Sequence, residues 1–103
     1  MSIVLLVEYK PIDGRKDDLL AAITDIVPEV HAESGCERYA YHSTKDGRVF
    51  LIETWADKEA LGAHAEGAAI KKLQAATKDL VSEPATILPL RPAPMGDPAK
   101  GQL

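Results

Sequence analysis

Glu53, Trp55 and His64 stand close together in the run FLIETWADKEALGAH, Phe50–His64, and each could do chemistry. A histidine side chain ordinarily titrates near about 6.5, so His64 suits removal of a proton from a weakly acidic hydroxyl or activated C–H near neutral pH. Glu53 lies mid-run among apolar residues, where a buried carboxylate must find a partner. Trp55 is the chain's single tryptophan and would supply a large surface that excludes water. Each also has a structural role open to it. Trp55 could be a core ring, and Glu53 could form an ion pair with Arg38 or with an arginine of a second copy. His64 could be a packed residue one turn beyond Leu61.

These residues must be positioned by the elements around them. SIVLLVEYKP is β-branched and apolar and predicts a first strand ending at Pro11. Asp13 follows in a turn and is placed to cap a helix. Leu19, Ile23, Ile26, Val27 and Val30 recur at helical spacing, with Pro28 expected to kink or break that helix and Gly35 to end it. CERYAYHS and RVFLIETWA predict two strands joined at Asp46-Gly47, a hairpin signal. A two-residue turn there puts Arg38 and His42 on the Glu53 side; a slip of one residue puts Tyr39 and Tyr41 there instead. Asp57 is placed to cap a second helix carrying Leu61 and His64. Gly67 breaks or bends it, AAIKKLQAATKDLV resumes it, and Pro84 ends it. ATILPLR predicts a last strand, and Pro89 makes it an edge strand or a bulged one.

The order is β-α-β-β-α-β, which predicts an α+β, ferredoxin-like antiparallel sheet with the helices on one face. Residues 1–92 form this domain, and residues 93–103 a Pro/Gly-rich tail with no core of its own. In the first strand Ile3, Leu5 and Val7 alternate with Val4 and Leu6, so both sheet faces are apolar. The face without helices then needs a partner, and a second sheet is the natural one.

The chain has 103 residues and a formal net charge of −4, with a pI near 5.3. No basic stripe offers a surface to nucleic acid. IVLLV is too short for a membrane span or a signal-peptide core, and Glu8 follows it. One cysteine cannot form an internal disulfide, so a cytoplasmic location is expected. No CxxC, HExxH or Gly-rich phosphate loop is present, so no metal or cofactor is expected.

The chain resembles the antibiotic biosynthesis monooxygenase family of dimeric α+β barrels. The resemblance rests on ESGCERY (Glu33–Tyr39), ETW (Glu53–Trp55) and ADKEALGAH (Ala56–His64), and it runs from the first strand to about Leu90. It implies two subunits packed sheet to sheet, each with a pocket between sheet and helices. It also implies oxidation of phenols, quinols or anthrone-like compounds by molecular oxygen without flavin, haem or metal, and a pocket-facing histidine at the position of His64. Haem-degrading relatives use a histidine that by spacing falls near Gln74 here, a poor haem ligand. The candidate catalytic residues are therefore His64 and Trp55, and the candidate substrate-pocket residues Glu53, Leu51, Leu61 and Tyr41. The expected partners are a small aromatic substrate, oxygen and a second copy of the chain. Two other functions compete: isomerisation of a small hydroxy-ketone with His64 shuttling a proton, and a non-enzymatic ligand-binding or stress-associated barrel. A phosphorylated ketone would need Lys71, Lys72 or Arg38 to face the pocket.

Overall fold

The computed structural model describes residues 2–103. The elements are β1 (Ile3–Pro11), α1 (Lys16–Thr24), α2 (Val27–His31), β2 (Cys36–Ser43), β3 (Val49–Trp55), α3 (Lys58–Ala65), α4 (Ala68–Thr77) and β4 (Val81–Leu90). The strands form one antiparallel sheet in the order β2-β3-β1-β4, the ferredoxin-like α+β arrangement expected from the element order.

Each expected helix is divided in two, for a local reason. A proline ring clashes with the carbonyl four residues earlier, which for Pro28 is that of Thr24. The first helical run accordingly stops at Thr24, and Pro28 takes up a place in the first turn of α2. Asp13 lies ahead of the cap position, which Arg15 occupies without a side-chain bond. Asp57 does cap α3: its carboxylate accepts from the Ala60 N–H at 2.8 Å. Gly67 then separates α3 from α4.

The final strand starts earlier than the sequence suggests. Val81–Glu83 are extended rather than helical, and Pro84 lies inside β4. Register shifts opposite Glu8–Pro11 bulge the strand at this point. As an edge strand, β4 tolerates both Pro84 and Pro89, whose missing N–H groups need no neighbour.

The β2–β3 hairpin settles the register. Ser43 pairs with Val49, and the Thr44 N–H donates to the Arg48 carbonyl at 2.9 Å. The loop is thus one residue longer than a tight two-residue turn, with Gly47 at φ +91°, as three-residue hairpins require. Tyr39 therefore faces Glu53 across the strands, and Arg38 falls on the opposite face of the sheet, exposed. The expected Glu53–Arg38 ion pair does not form.

The core lies between the sheet and the helices. Leu5, Val7, Tyr39, Val49, Leu51 and Trp55 meet Leu19, Ile23, Val30, Ala69 and Leu73 there. The opposite face carries Val4, Leu6, Phe50 and Ile52, with Leu88 and Leu90 largely exposed on β4. The tail turns back through Asp97–Gly101, where the Lys100 and Gly101 N–H groups donate to the Asp97 carbonyl. Leu103 returns beside Val4, Leu90 and Pro92 around a small hollow.

Candidate active site

Strand alternation sets Glu53 and Trp55 on the helix-facing side of β3. The short link through Ala56 and the Asp57 cap then sends α3 back over the strand end. Its second turn lays the His64 imidazole on the Trp55 indole, with ring centroids 4.5 Å apart and an interplanar angle of 28°. Trp55 is fully buried, and His64 is only 5% exposed.

A chain of polar contacts runs through this stack. The Trp55 Nε1–H donates to Glu53 Oε1 at 2.8 Å. The same Glu53 oxygen lies 4.0 Å from His64 Nε2. On the far side of the ring, His64 Nδ1 lies 2.7 Å from Glu33 Oε1. An ionised carboxylate can only accept, so the 2.7 Å contact with Glu33 calls for a proton on Nδ1, while Nε2 faces Glu53 beyond hydrogen-bond reach. Glu33 sits in the connection between α2 and β2, where its N–H bonds the Val30 carbonyl and its carbonyl accepts from Cys36 N–H. Burial pushes the Glu53 carboxyl above the ordinary carboxylate range, opposed by the indole N–H and the nearby imidazole. Glu53 is thus a carboxyl able to change protonation state closer to neutral pH than a surface glutamate.

Tyr39, opposite Glu53, presents its ring to His64 with centroids 5.7 Å apart. Its hydroxyl lies 3.4 Å from that of Tyr41, which in turn lies 3.2 Å from that of Tyr9. Burial raises all three phenols, so each remains a neutral hydroxyl. The Tyr39 carbonyl accepts from His31 Nε2 at 3.0 Å.

Beside this cluster a cleft of about 590 Å³ opens between the sheet, α4 and β4. Glu53, Tyr9 and Tyr39 line it as polar groups, Val7, Leu73 and Ile87 as apolar ones, and Lys78 and Glu83 are also on its wall. Of Glu53, Trp55 and His64, Glu53 is the one that meets the cleft. His64 and Trp55 are brought together, but neither is on the cleft wall: they stand behind Glu53. Leu51 is buried in the core, and Leu61 is half-buried on α3 against it. Tyr41 lines a second cavity, of about 310 Å³, bounded by α1 and α2. Tyr39 forms a wall of both. Gln74 lines the larger cleft.

Glu33 is the member of the cluster that local reasoning did not single out. No periodicity links it to His64, since the two meet only through tertiary packing. Its place at the head of ESGCERY was the available signal. Among the described residues, no group of three His, Cys, Asp or Glu is disposed to hold a metal ion. No helix among them is long and apolar enough to cross a membrane.

The family described as antibiotic biosynthesis monooxygenase matches residues 2–76. The chain belongs to that family. Among solved structures, Rv0793 from Mycobacterium tuberculosis superposes with a TM-score of 0.83 at 20% identity, covering 94% of this chain and all of the other. PA3566 from Pseudomonas aeruginosa gives 0.77 at 22% identity, covering 86% and 91%. A structure named antibiotic biosynthesis monooxygenase gives 0.80 at 18% identity, covering 89% and 99%. These likenesses establish the shared fold. A search of curated proteins finds no match. As an antibiotic biosynthesis monooxygenase family member, the chain carries Glu53, Trp55, His64 and all of α4 but Thr77 within the matched segment. All of β4, which closes the cleft, lies beyond it.

Proposed function

We propose that the protein is a cofactor-independent monooxygenase that oxidises a small electron-rich aromatic (a phenol, quinol or anthrone-like compound) with molecular oxygen. The observation that carries this reading is the buried Glu53–His64 pair beside a largely apolar cleft with room for such a ring. Neutral tyrosine hydroxyls beside the carboxyl suit an aromatic hydroxyl or ketone. Glu53, backed by His64, takes the proton from the substrate. The resulting anion passes one electron to oxygen, and substrate radical and superoxide combine to a peroxide. Loss of water from the peroxide leaves a carbonyl where a CH₂ stood, so the substrate gives up four electrons and oxygen accepts four. The apolar walls withhold water from the anion, and the Trp55 indole fixes the carboxyl that receives the proton.

The working unit in this proposal is a homodimer in the cytoplasm. Leu6, Phe50, Ile52 and Leu88 give the helix-free face of the sheet the apolar character of a lasting interface, and the free Cys36 suits a reducing compartment. Sedimentation at micromolar concentration showing only monomer would overturn the dimer. Of the cations named for a phosphorylated-ketone isomerase, Arg38 and Lys71 do not line the cleft and Lys72 is held by Glu29 at 3.1 Å; the cleft wall carries a different cation, Lys78, alongside Glu83.

Oxygen-electrode assays on a quinol and anthrone panel test the chemistry. The expected result is oxygen uptake matched to product, abolished anaerobically and lowered roughly 10²–10⁴-fold in Glu53→Gln. Turnover that persists without oxygen would overturn the proposal.

A further inference from the structure

His64 is held between two carboxylates that do not meet each other. Glu53 lines the cleft, with its side chain 7% exposed, while Glu33 lies outside the cleft and is 23% exposed. The imidazole is the only described group that spans them: Nδ1 is in hydrogen-bond contact with Glu33, and Nε2 is 4.0 Å from Glu53 Oε1. A purely structural histidine needs one such partner. Here the ring presents one nitrogen to each carboxylate, at 2.7 Å to Glu33 and 4.0 Å to Glu53, the arrangement through which an imidazole passes a proton.

We infer that Glu53, His64 and Glu33 form a proton relay through the stack of α3 on β3, with Glu33 as the far store that receives the proton taken at the cleft and returns it. This deepens the oxygenase reading and rests on it for the origin of the proton. The substrate O–H or C–H bond breaks and its proton bonds to the Glu53 carboxylate. The imidazole tilts to close the 4.0 Å gap and takes the proton from Glu53 at Nε2, while the Nδ1 proton passes to Glu33 Oε1. No electron moves in the relay. When the peroxide later loses hydroxide, the proton runs back along the same atoms and completes the water, so the imidazole regains its starting tautomer at each turnover. The store keeps the proton away from the substrate anion while that anion reacts with oxygen.

Two further features fix the far end. Glu33 Oε2 packs against Gly67, where an added Cβ would stand 3.1 Å from it. Gly35, at φ +82°, lets the Glu33 loop sit so close to α3 that a Cβ there would fall on that of Ala60. Backbone and glycine spacing thus hold Glu33 at Nδ1. Besides His64 on α3, the titratable groups near Glu53 are Tyr9 from β1, Tyr39 and Cys36 from β2, and Lys78 and Glu83 on the cleft wall.

The relay is tested by the sign of one titration shift, followed by ¹³C NMR of the Glu53 side-chain carboxyl in the free protein. In Glu33→Gln a negative charge is lost. Acting directly across space, that loss makes Glu53 easier to ionise and moves its midpoint down. Acting through His64, it removes the carboxylate that receives the imidazole's proton and supports its cation. The positive charge that favours ionised Glu53 goes with it, and the midpoint moves up. The expected result is an upward shift in Glu33→Gln, with the same sign in His64→Gln. ¹⁵N spectra of the wild type, recorded at a pH where the imidazole is neutral, should show the Nδ1–H tautomer. A downward or absent shift in Glu33→Gln, or an Nε2–H tautomer in the wild type, overturns the relay. Should Glu33→Gln fail to fold, the His64→Gln shift and the wild-type tautomer still decide it. The titration needs neither substrate nor oxygen, so the relay and the oxygenase reading can fail separately.

Discussion

The Trp55–Glu53 hydrogen bond should be measurable as a coupling energy. Both groups are buried, and the indole N–H donates at 2.8 Å to a carboxyl oxygen. A hydrogen bond to a charged partner contributes about 1.5–3 kcal/mol. Trp55→Phe removes the donor and also trims the ring, a loss of packing of roughly 1–2 kcal/mol beside the 3–5 kcal/mol of a full Trp→Ala truncation. The total in the wild-type background is then about 2.5–5 kcal/mol. In a Glu53→Leu background the acceptor is already gone, so Trp55→Phe should lose only its packing share. Urea unfolding of wild type, both single variants and the double variant, at pH 7 and equal protein concentration, should give a coupling of about 1.5–3 kcal/mol. Equal concentration matters because association adds to apparent stability. Additivity within about 0.5 kcal/mol would refute the argument that this bond holds the cleft carboxyl in place.

Three further outcomes follow from the same geometry. Burial raises the Glu53 carboxyl above the ordinary glutamate value, so the folded state holds that proton more tightly than the unfolded chain does. Wild-type stability is therefore lost as pH rises from the unfolded midpoint through the folded one. Glu53→Gln cannot titrate, and its melting temperature relative to wild type should be higher at pH 7 than at pH 4; an equal difference at both would contradict the shift. Gly35→Ala should lose roughly 1–2 kcal/mol from the left-handed backbone alone and more from contact with Ala60, seen in thermal unfolding, whereas an unchanged melting temperature would remove the claim. Truncation after Arg91 uncovers Val4 and Leu90 and should weaken the proposed dimer while leaving the cleft intact, and an unchanged dimer dissociation constant would count against a role for the tail.

The order of elements was legible in the sequence because it depends on short-range physics. Strand alternation in IVLLVEY, the Asp57 cap, the break at Gly67 and the edge character signalled by Pro89 each act within a few residues. The same alternation put Glu53 and Trp55 on one face, and helical spacing put His64 on the inner side of α3. Three matters could only be decided in three dimensions. The side of β2 that faces Glu53 turned on whether the hairpin loop closed over two residues or three, a difference of one residue that reverses every side chain of the strand. The start of β4 depended on pairing with β1, whose sheet hydrogen bonds outweighed the helical pattern of Leu80 and Val81. The partner of His64 depended on the α2–β2 connection folding against α3, which brings Glu33 within hydrogen-bond reach across a large separation in sequence. Residue spacing carries information about faces of single elements. Which faces meet is set by packing among elements distant in the chain, and the candidate site is built from such a meeting.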